Sequence, residues 1–221
     1  MQGANRKRDK VIIFANGVIA DMDAVRPWLD EARAVIAADG GLRYALAFGR
    51  TPDVLIGDLD SLPAGFEPEA AGEAIAIIRY PTDKDETDLE LALLHAVEHY
   101  SGAELIVLGG IGGRLDQTLA NILLMAHPLL EGVAVRLVEG VETAWLITGE
   151  GVIEGRVGDT VSLIPIGGPA HILATEGLRW PLHDELLVFG PARGISNRLT
   201  AERAVVRLST GVLLCIHTRM S

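Results

Sequence analysis

The sequence predicts a two-part α/β chain: an N-terminal, mostly parallel, Rossmann-like sheet with flanking helices, followed by a C-terminal all-β sandwich. Three observations carry this. Up to about residue 140, short apolar runs alternate with amphipathic stretches, as strands do when helices cover both faces of a sheet. Beyond residue 142, β-rich runs follow one another with only turn signals between them, the pattern of packed antiparallel sheets. The 221 residues suffice for a core in each part. The boundary is placed accordingly, with domains over 11–141 and 142–221.

In the first domain the apolar runs Val11–Ala15, Ala34–Ala38, Asp53–Ile56, Ala74–Ile78, Glu104–Leu108 and Val133–Val138 read as strands. Asn16-Gly17 cuts the first run too short for a secretion signal, and no run is long enough to span a bilayer. Helices are expected over Leu42–Phe48, Glu86–Tyr100 and Leu115–Ala126. The second is the clearest, with Leu89, Ala92, Leu93, Ala96, Val97 and Tyr100 recurring at helical spacing. In the second domain, strands are expected over Thr143–Thr148, Val152–Val157, Thr160–Ile166, His171–Thr175, Leu186–Phe189, Ala204–Leu208 and Val212–His217. Gly167-Gly168-Pro169 and Ser209-Thr210-Gly211 are among the breaks between them. The single cysteine, Cys215, lies in the last of these runs and reads as a buried strand thiol, usage that fits the cytoplasm.

A net charge of −11 excludes a general nucleic-acid surface, which needs a basic stripe. Many of the carboxylates crowd into residues 58–90. Ligands of open parallel sheets bind beyond the carboxyl ends of the strands, and four unusual clusters follow predicted strands there. Ala38-Asp39-Gly40-Gly41 is a tight turn into a helix, where the backbone can approach a ligand closely. Gly57-Asp58-Leu59-Asp60-Ser61 places two aspartates two apart; in an extended segment they point the same way, and such a pair repels unless a cation such as Mg²⁺ intervenes. Thr82-Asp83-Lys84-Asp85-Glu86-Thr87-Asp88-Leu89-Glu90 carries more negative charge than a helix start needs. Asp85 is expected to cap that helix and to share a face with Asp88, and Lys84 suits phosphate oxygens. Gly109-Gly110-Ile111-Gly112-Gly113-Arg114-Leu115-Asp116-Gln117 is a glycine-rich turn into a helix that can cradle a polyphosphate, with Arg114 as clamp, yet it is neither a Rossmann fingerprint nor a Walker A sequence. His95 and His99, one turn apart, lack further ligands and read as a solvated helix edge.

In order and spacing these four clusters resemble the thiamine pyrophosphokinase family. Thr175-Glu176-Gly177-Leu178-Arg179-Trp180-Pro181-Leu182 is similar to that family's segment ending in a substrate-stacking Trp, and Gly194-Ile195-Ser196-Asn197 to the serine-asparagine segment that follows it. The resemblance spans residues 11 to 217. It implies an ATP- and Mg²⁺-binding catalytic domain, a thiamine-binding and dimerisation domain, and a homodimer with active sites between subunits. The magnesium carboxylates fall on Asp58, Asp60 and Asp88, with Asp85 in addition. Phosphate-facing residues fall on Lys84, Arg114 and Thr87, within a nucleotide site that includes Asp39, Gly40, Gly41, Ser61, Gly112 and Gly113. Asp116 is implied to orient the attacking hydroxyl and Gln117, where many bacterial members carry His, to hydrogen-bond. Thiamine is placed on Trp180, Ser196 and Asn197. A diphosphokinase for another alcohol, such as a pterin, and a non-catalytic thiamine or nucleotide sensor are the competing readings.

Overall fold

The computed structural model describes residues 9–68 and 74–220, and the backbone groups into two compact units, Met1–Gly140 and Val141–Ser221. The chain is mixed α/β, and among the described residues no helix is long and apolar enough to cross a membrane.

The first unit is built on β1 (Lys10–Phe14), β2 (Ala32–Ala38), β3 (Val54–Gly57), β4 (Ala76–Arg79), β5 (Glu104–Leu108) and β6 (Ala134–Glu139), ordered β6-β5-β1-β2-β3-β4 and parallel throughout. Val11 to Phe14 are fully buried without alternation, because helices cover both faces of such a sheet. Phe14 stands opposite Ala37 and Leu108, so the carboxyl ends of β1, β2 and β5 fall side by side. Among the described residues, the α-helices accompanying the strands are α1 (Met22–Val25), α2 (Leu42–Ala47), α3 (Asp88–His99) and α4 (Leu115–Leu124). On α3, Leu89, Leu91, Ala92, Leu93 and Ala96 are buried, and the helix packs on β1, β2 and β3. Burying each leucine there contributes about 1.5–3 kcal/mol.

Two helix boundaries differ from the sequence expectation. Thr87, extended at φ −77° and ψ 157°, caps α3 by accepting from the Glu90 amide at 3.2 Å. Asp85 therefore neither caps the helix nor shares a face of it with Asp88; it lies upstream, where the backbone is not helical. At the other helix, the amides of Ala126 and His127 turn back to Leu123 and Leu124, three residues away, so the regular helix stops at Leu124.

The second unit is all-β: β7 (Glu142–Ile147), β8 (Glu150–Glu154), β9 (Thr160–Glu176), β10 (His183–Leu187), β11 (Asn197–Arg198) and β12 (Arg203–Thr218). β9 and β12 pair antiparallel from Thr160 opposite Thr218 to Glu176 opposite Val205. The breaks expected at Gly167-Gly168-Pro169 and Ser209-Thr210-Gly211 are instead irregularities within two long strands, with register shifts between Arg207 and Val212. Gly211 makes the close approach possible: at φ +84°, a Cβ there would lie 2.6 Å from the Ala170 Cα. β10 ends at Leu187, leaving Val188 and Phe189 exposed. Cys215 is buried in the core with Leu163, Leu178, Leu182 and Leu213.

Candidate active site

Loops at the carboxyl ends of β1, β2, β3 and β5 and the start of α3 line a cavity of about 790 Å³ in the first unit. Its floor is acidic. Asp39, Asp58 and Asp60 can each present an oxygen within 4.8 Å of the other two. Asp39, only 3% exposed, sits at the end of β2 with φ +47° and accepts from the Ser61 amide at 3.3 Å. Burial pushes its carboxyl above the usual range; the amides of Gly40 and Ser61 pull it back, and the charge of Asp88 adds to the rise. Asp58 and Asp60 do not converge by strand alternation. Leu59 is left-handed at φ +66°, and the Asp60 amide donates to Asp58 Oδ1 at 3.2 Å, so a tight turn brings the pair together.

Lys84 enters this cluster with its side chain 10% exposed, Nζ lying 2.9 Å from Asp88 Oδ1 and 3.8 Å from Asp58 Oδ2. Burial opposes its charge, but the close contact with Asp88 and its charge, then the charges of Asp58 and Asp39, hold the ammonium above its ordinary pKa. Asp88 Oδ1 is buried, and among the described residues this ion pair is its polar contact; no well-formed hydrogen bond reaches it. Gly57 underlies both walls. At φ +143°, a Cβ would stand 2.9 Å from Asp88 Oδ1 and 3.1 Å from the Asp39 Cβ.

Opposite, Gly112, Gly113, Arg114 and Gln117 line the cavity, as do Ser61 and Thr87. Arg114 and Asp116 form a two-point ion pair, Nη2–Oδ2 at 2.5 Å and Nε–Oδ1 at 3.1 Å. Their mutual hydrogen bonds hold the guanidinium above and the carboxyl below its usual range. Asp116 and Asp85 are exposed and outside the lining, and Gly40 and Gly41 are buried in the turn beneath Asp39.

Several lining groups escaped the sequence reading. Asn16, Gly17 and Val18 follow β1, where the strand-end rule could have flagged them. Arg43 of α2 binds Asn16 Oδ1 and donates to the carbonyls of Asn16 and Gly17 at 2.9 Å each, while the Tyr44 hydroxyl donates to Gly17 O at 2.8 Å. Buried Asn121 pins the glycine turn by donating to Gly110 O at 2.7 Å.

The second unit holds a cavity of about 340 Å³ lined by Trp180, Leu182, Arg193 and Gly194 to Asn197. Trp180 is 50% exposed. The Asn197 carboxamide accepts from the Trp180 amide at 3.1 Å and donates to the Trp180 carbonyl at 2.7 Å. Ser196 is left-handed at φ +60°, its amide donating to Ser162 Oγ at 3.1 Å. Glu185 holds Arg193 at two points, 2.8 and 3.2 Å.

Parallel strands ending in clustered aspartates, with a lysine among them and a glycine-rich turn facing them, define an α/β enzyme of the phosphoryl-transfer class. Residues 25–137 match the family described as "Thiamin pyrophosphokinase, catalytic domain", and residues 152–213 match "Thiamin pyrophosphokinase, vitamin B1 binding domain". The chain belongs to the thiamine pyrophosphokinase family. Thiamine pyrophosphokinase of Bacillus subtilis (strain 168) is 30% identical over 194 residues, 86% of this chain and 90% of the relative. Thiamine pyrophosphokinase 1 of Oryza sativa subsp. japonica is 25% identical over 215 residues, 86% and 81% of the two chains. The crystal structure of the Bacillus subtilis thiamine pyrophosphokinase superposes with a TM-score of 0.85 at 27% identity, covering 96% of this chain and all of that one.

Proposed function

We propose that this chain is a thiamine pyrophosphokinase whose first domain, residues 11–141, binds Mg-ATP on a Rossmann-like sheet. The second, residues 142–221, is then a β-sandwich that binds thiamine and dimerises. The observation that carries this is the charge imbalance in the first cavity: Asp39, Asp58 and Asp60 gather their oxygens, Asp88 adds a fourth carboxylate, and among the described residues Lys84 is the ammonium that meets Asp58 and Asp88. Like charges this close need a hard cation. Asp58 and Asp60 with Asp39 would hold magnesium, Asp88 closing the set from α3, while exposed Asp85 has no part in it. A bound Mg²⁺ supplies charge neutralisation and orientation of the polyphosphate.

The residues present divide the remaining work. Lys84 and Arg114 face the phosphates as cations, and Thr87, Ser61, Gly112 and Gly113 offer hydrogen bonds around them. A phosphate at Arg114 competes with Asp116 for the guanidinium. The released carboxylate is then free to orient the thiamine hydroxyl, with Gln117 as a neutral hydrogen-bonding neighbour. The hydroxyl oxygen bonds to the β-phosphorus, the bond from that phosphorus to the α-phosphate oxygen breaks, AMP leaves, and the hydroxyl proton is released. Positioning carries most of the rate. Trp180 and Ser196 receive thiamine, whose thiazolium is attracted to an indole face by about 0.5–2 kcal/mol.

A cytoplasmic homodimer with active sites between subunits completes the proposal. Leu115, Leu119 and Leu123 form an exposed stripe on α4, Leu115 being 82% exposed, directly beside Arg114 and Gln117. Leu186, Val188, Phe189 and Ile195 are exposed in the unit that carries Trp180. Incubating the purified chain with Mg-ATP and thiamine, followed by chromatography, should show thiamine diphosphate and AMP in equal amounts. Absence of both products under these conditions would overturn the proposal.

A further inference from the structure

Asn197 belongs to the segment that the family resemblance places on the substrate, yet its side chain is spent within the protein. The residue is 7% exposed. Its Oδ1 accepts from the amides of Trp180 at 3.1 Å and Arg198 at 2.8 Å, and its Nδ2 donates to the Trp180 carbonyl at 2.7 Å. One N–H of the carboxamide remains. These bonds continue a short antiparallel ladder: Leu178 bridges Leu199, the Arg179 amide donates to Arg198 O at 2.9 Å, and at the next step the Asn197 side chain pairs with the peptide of Trp180 as a strand's own backbone would. Beyond Asn197 the left-handed Ser196 turns the chain, and its amide donates to Ser162 Oγ instead.

The indole is braced as well. The Arg179 guanidinium lies over it, 5.0 Å from the ring centroid. Arg179 is not among the residues that line the 340 Å³ cavity that Trp180 borders. The ring is thus restrained by a cation of the protein itself, while Trp180 stays 50% exposed at the cavity.

We infer that Asn197 is a positioning residue acting through Trp180: its carboxamide fixes the Trp180 peptide and so holds the indole at the cavity for a planar aromatic cation. This rests on the reading of Trp180 as the surface that stacks thiamine. A clamp at this point converts a half-exposed tryptophan into a preorganised platform, lowering the ordering cost of binding. It acts on thiamine and not on ATP.

The test is a double-mutant cycle on the full chain. Asn197→Ala should raise the KM for thiamine about tenfold, the scale of a lost cation–π contact, with the KM for ATP unchanged and kcat within about twofold. In a Trp180→Ala background the same substitution should add nothing further. Additive effects would overturn the inference, because a direct ligand of thiamine would act independently of Trp180. Asn197→Asp keeps the volume and the acceptor but loses the donor and sets a charged oxygen against the Trp180 carbonyl, so it should show the same pattern at least as strongly and serves if the alanine variant does not fold. A readout that needs no thiamine is the ¹⁹F spectrum of protein labelled with 5-fluorotryptophan. Its three tryptophans give three signals, assigned with Trp180→Phe. Either Asn197 variant should shift or broaden the Trp180 signal and leave those of Trp28 and Trp145 in place; an unmoved Trp180 signal would overturn the clamp. Should Trp180→Ala leave the thiamine KM intact while the ¹⁹F signal still responds to Asn197, the stacking role of Trp180 fails and the clamp stands.

Discussion

Lys84 and Asp88 face each other across one helical turn's length of chain at 2.9 Å, although only Asp88 is in the helix. Thr87 caps α3 between them, so Lys84 approaches from the preceding loop and reaches the carboxylate cluster from within. The pair thus combines a fixed helical residue with a cation that enters the site on irregular backbone.

Replacing Asp88 by Asn should abolish turnover, lowering kcat by about 100-fold or more, while far-ultraviolet circular dichroism stays that of the parent chain. The carboxamide keeps the volume and removes the charge. Near-normal AMP release by this variant would exclude Asp88 from the reaction.

Magnesium should raise the melting temperature of the parent chain, since an ion held by the native carboxylates stabilises that state by mass action. Lys84→Met removes the ammonium that, among the described residues, is placed with Asp39, Asp58 and Asp88. Its melting temperature without metal should fall by several degrees, and added Mg²⁺ should recover part of the loss. Identical thermal curves with and without Mg²⁺ in both proteins would refute a metal site at this cluster.

Gly57→Ala should cost about 1–3 kcal/mol and reduce turnover more than stability suggests. Its φ of +143° disfavours any side chain, and a methyl group there would press on Asp88 and Asp39 together. Denaturant unfolding combined with AMP release measures both effects. Equal stability and activity would show that the two carboxylates are not packed against this backbone.

In the second unit, Asp159 should set an acid limit. Burial opposes its charge, but the amides of Arg156 and Met220 and then the His217 ring outweigh it, leaving the carboxyl below its ordinary range. With the folded pKa depressed, the contribution to stability is complete above the unfolded value of about 4. It is lost as pH falls through the folded value. Asp159→Asn should therefore lower the melting temperature at pH 7, and the gap to the parent should narrow below about pH 4. A gap independent of pH would exclude Asp159 as the acid-sensitive group.

Much of the site could be read from residue type, less of it from geometry. Glu104–Leu108 is a strand in sequence and structure alike because turn glycines bound it at Gly102 and Gly109. Asp58 and Asp60 converge as expected, but through the left-handed Leu59, a conformation no local pattern announces. Asp39 joins their cluster for a similar reason: its neighbours Gly40 and Gly41 suggest a loop against a ligand, whereas its buried side chain turns toward Asp58 and Asp60. The latch from Arg43 to Asn16 spans 27 residues and leaves no periodic trace. In the second unit, the continuity of β9 and β12 depends on pairing across the chain, which overrides the local turn signals at Gly167 and Gly211.

Asp39, Leu59 and Ser196 share one property, a left-handed backbone on a residue that carries a side chain. A breeding programme aimed only at heat tolerance would be drawn to these positions, where glycine relieves the torsion at no steric penalty. It would strip side chains from the loops to which the proposed function assigns metal and thiamine, so those codons are the ones to freeze in any library built for robustness.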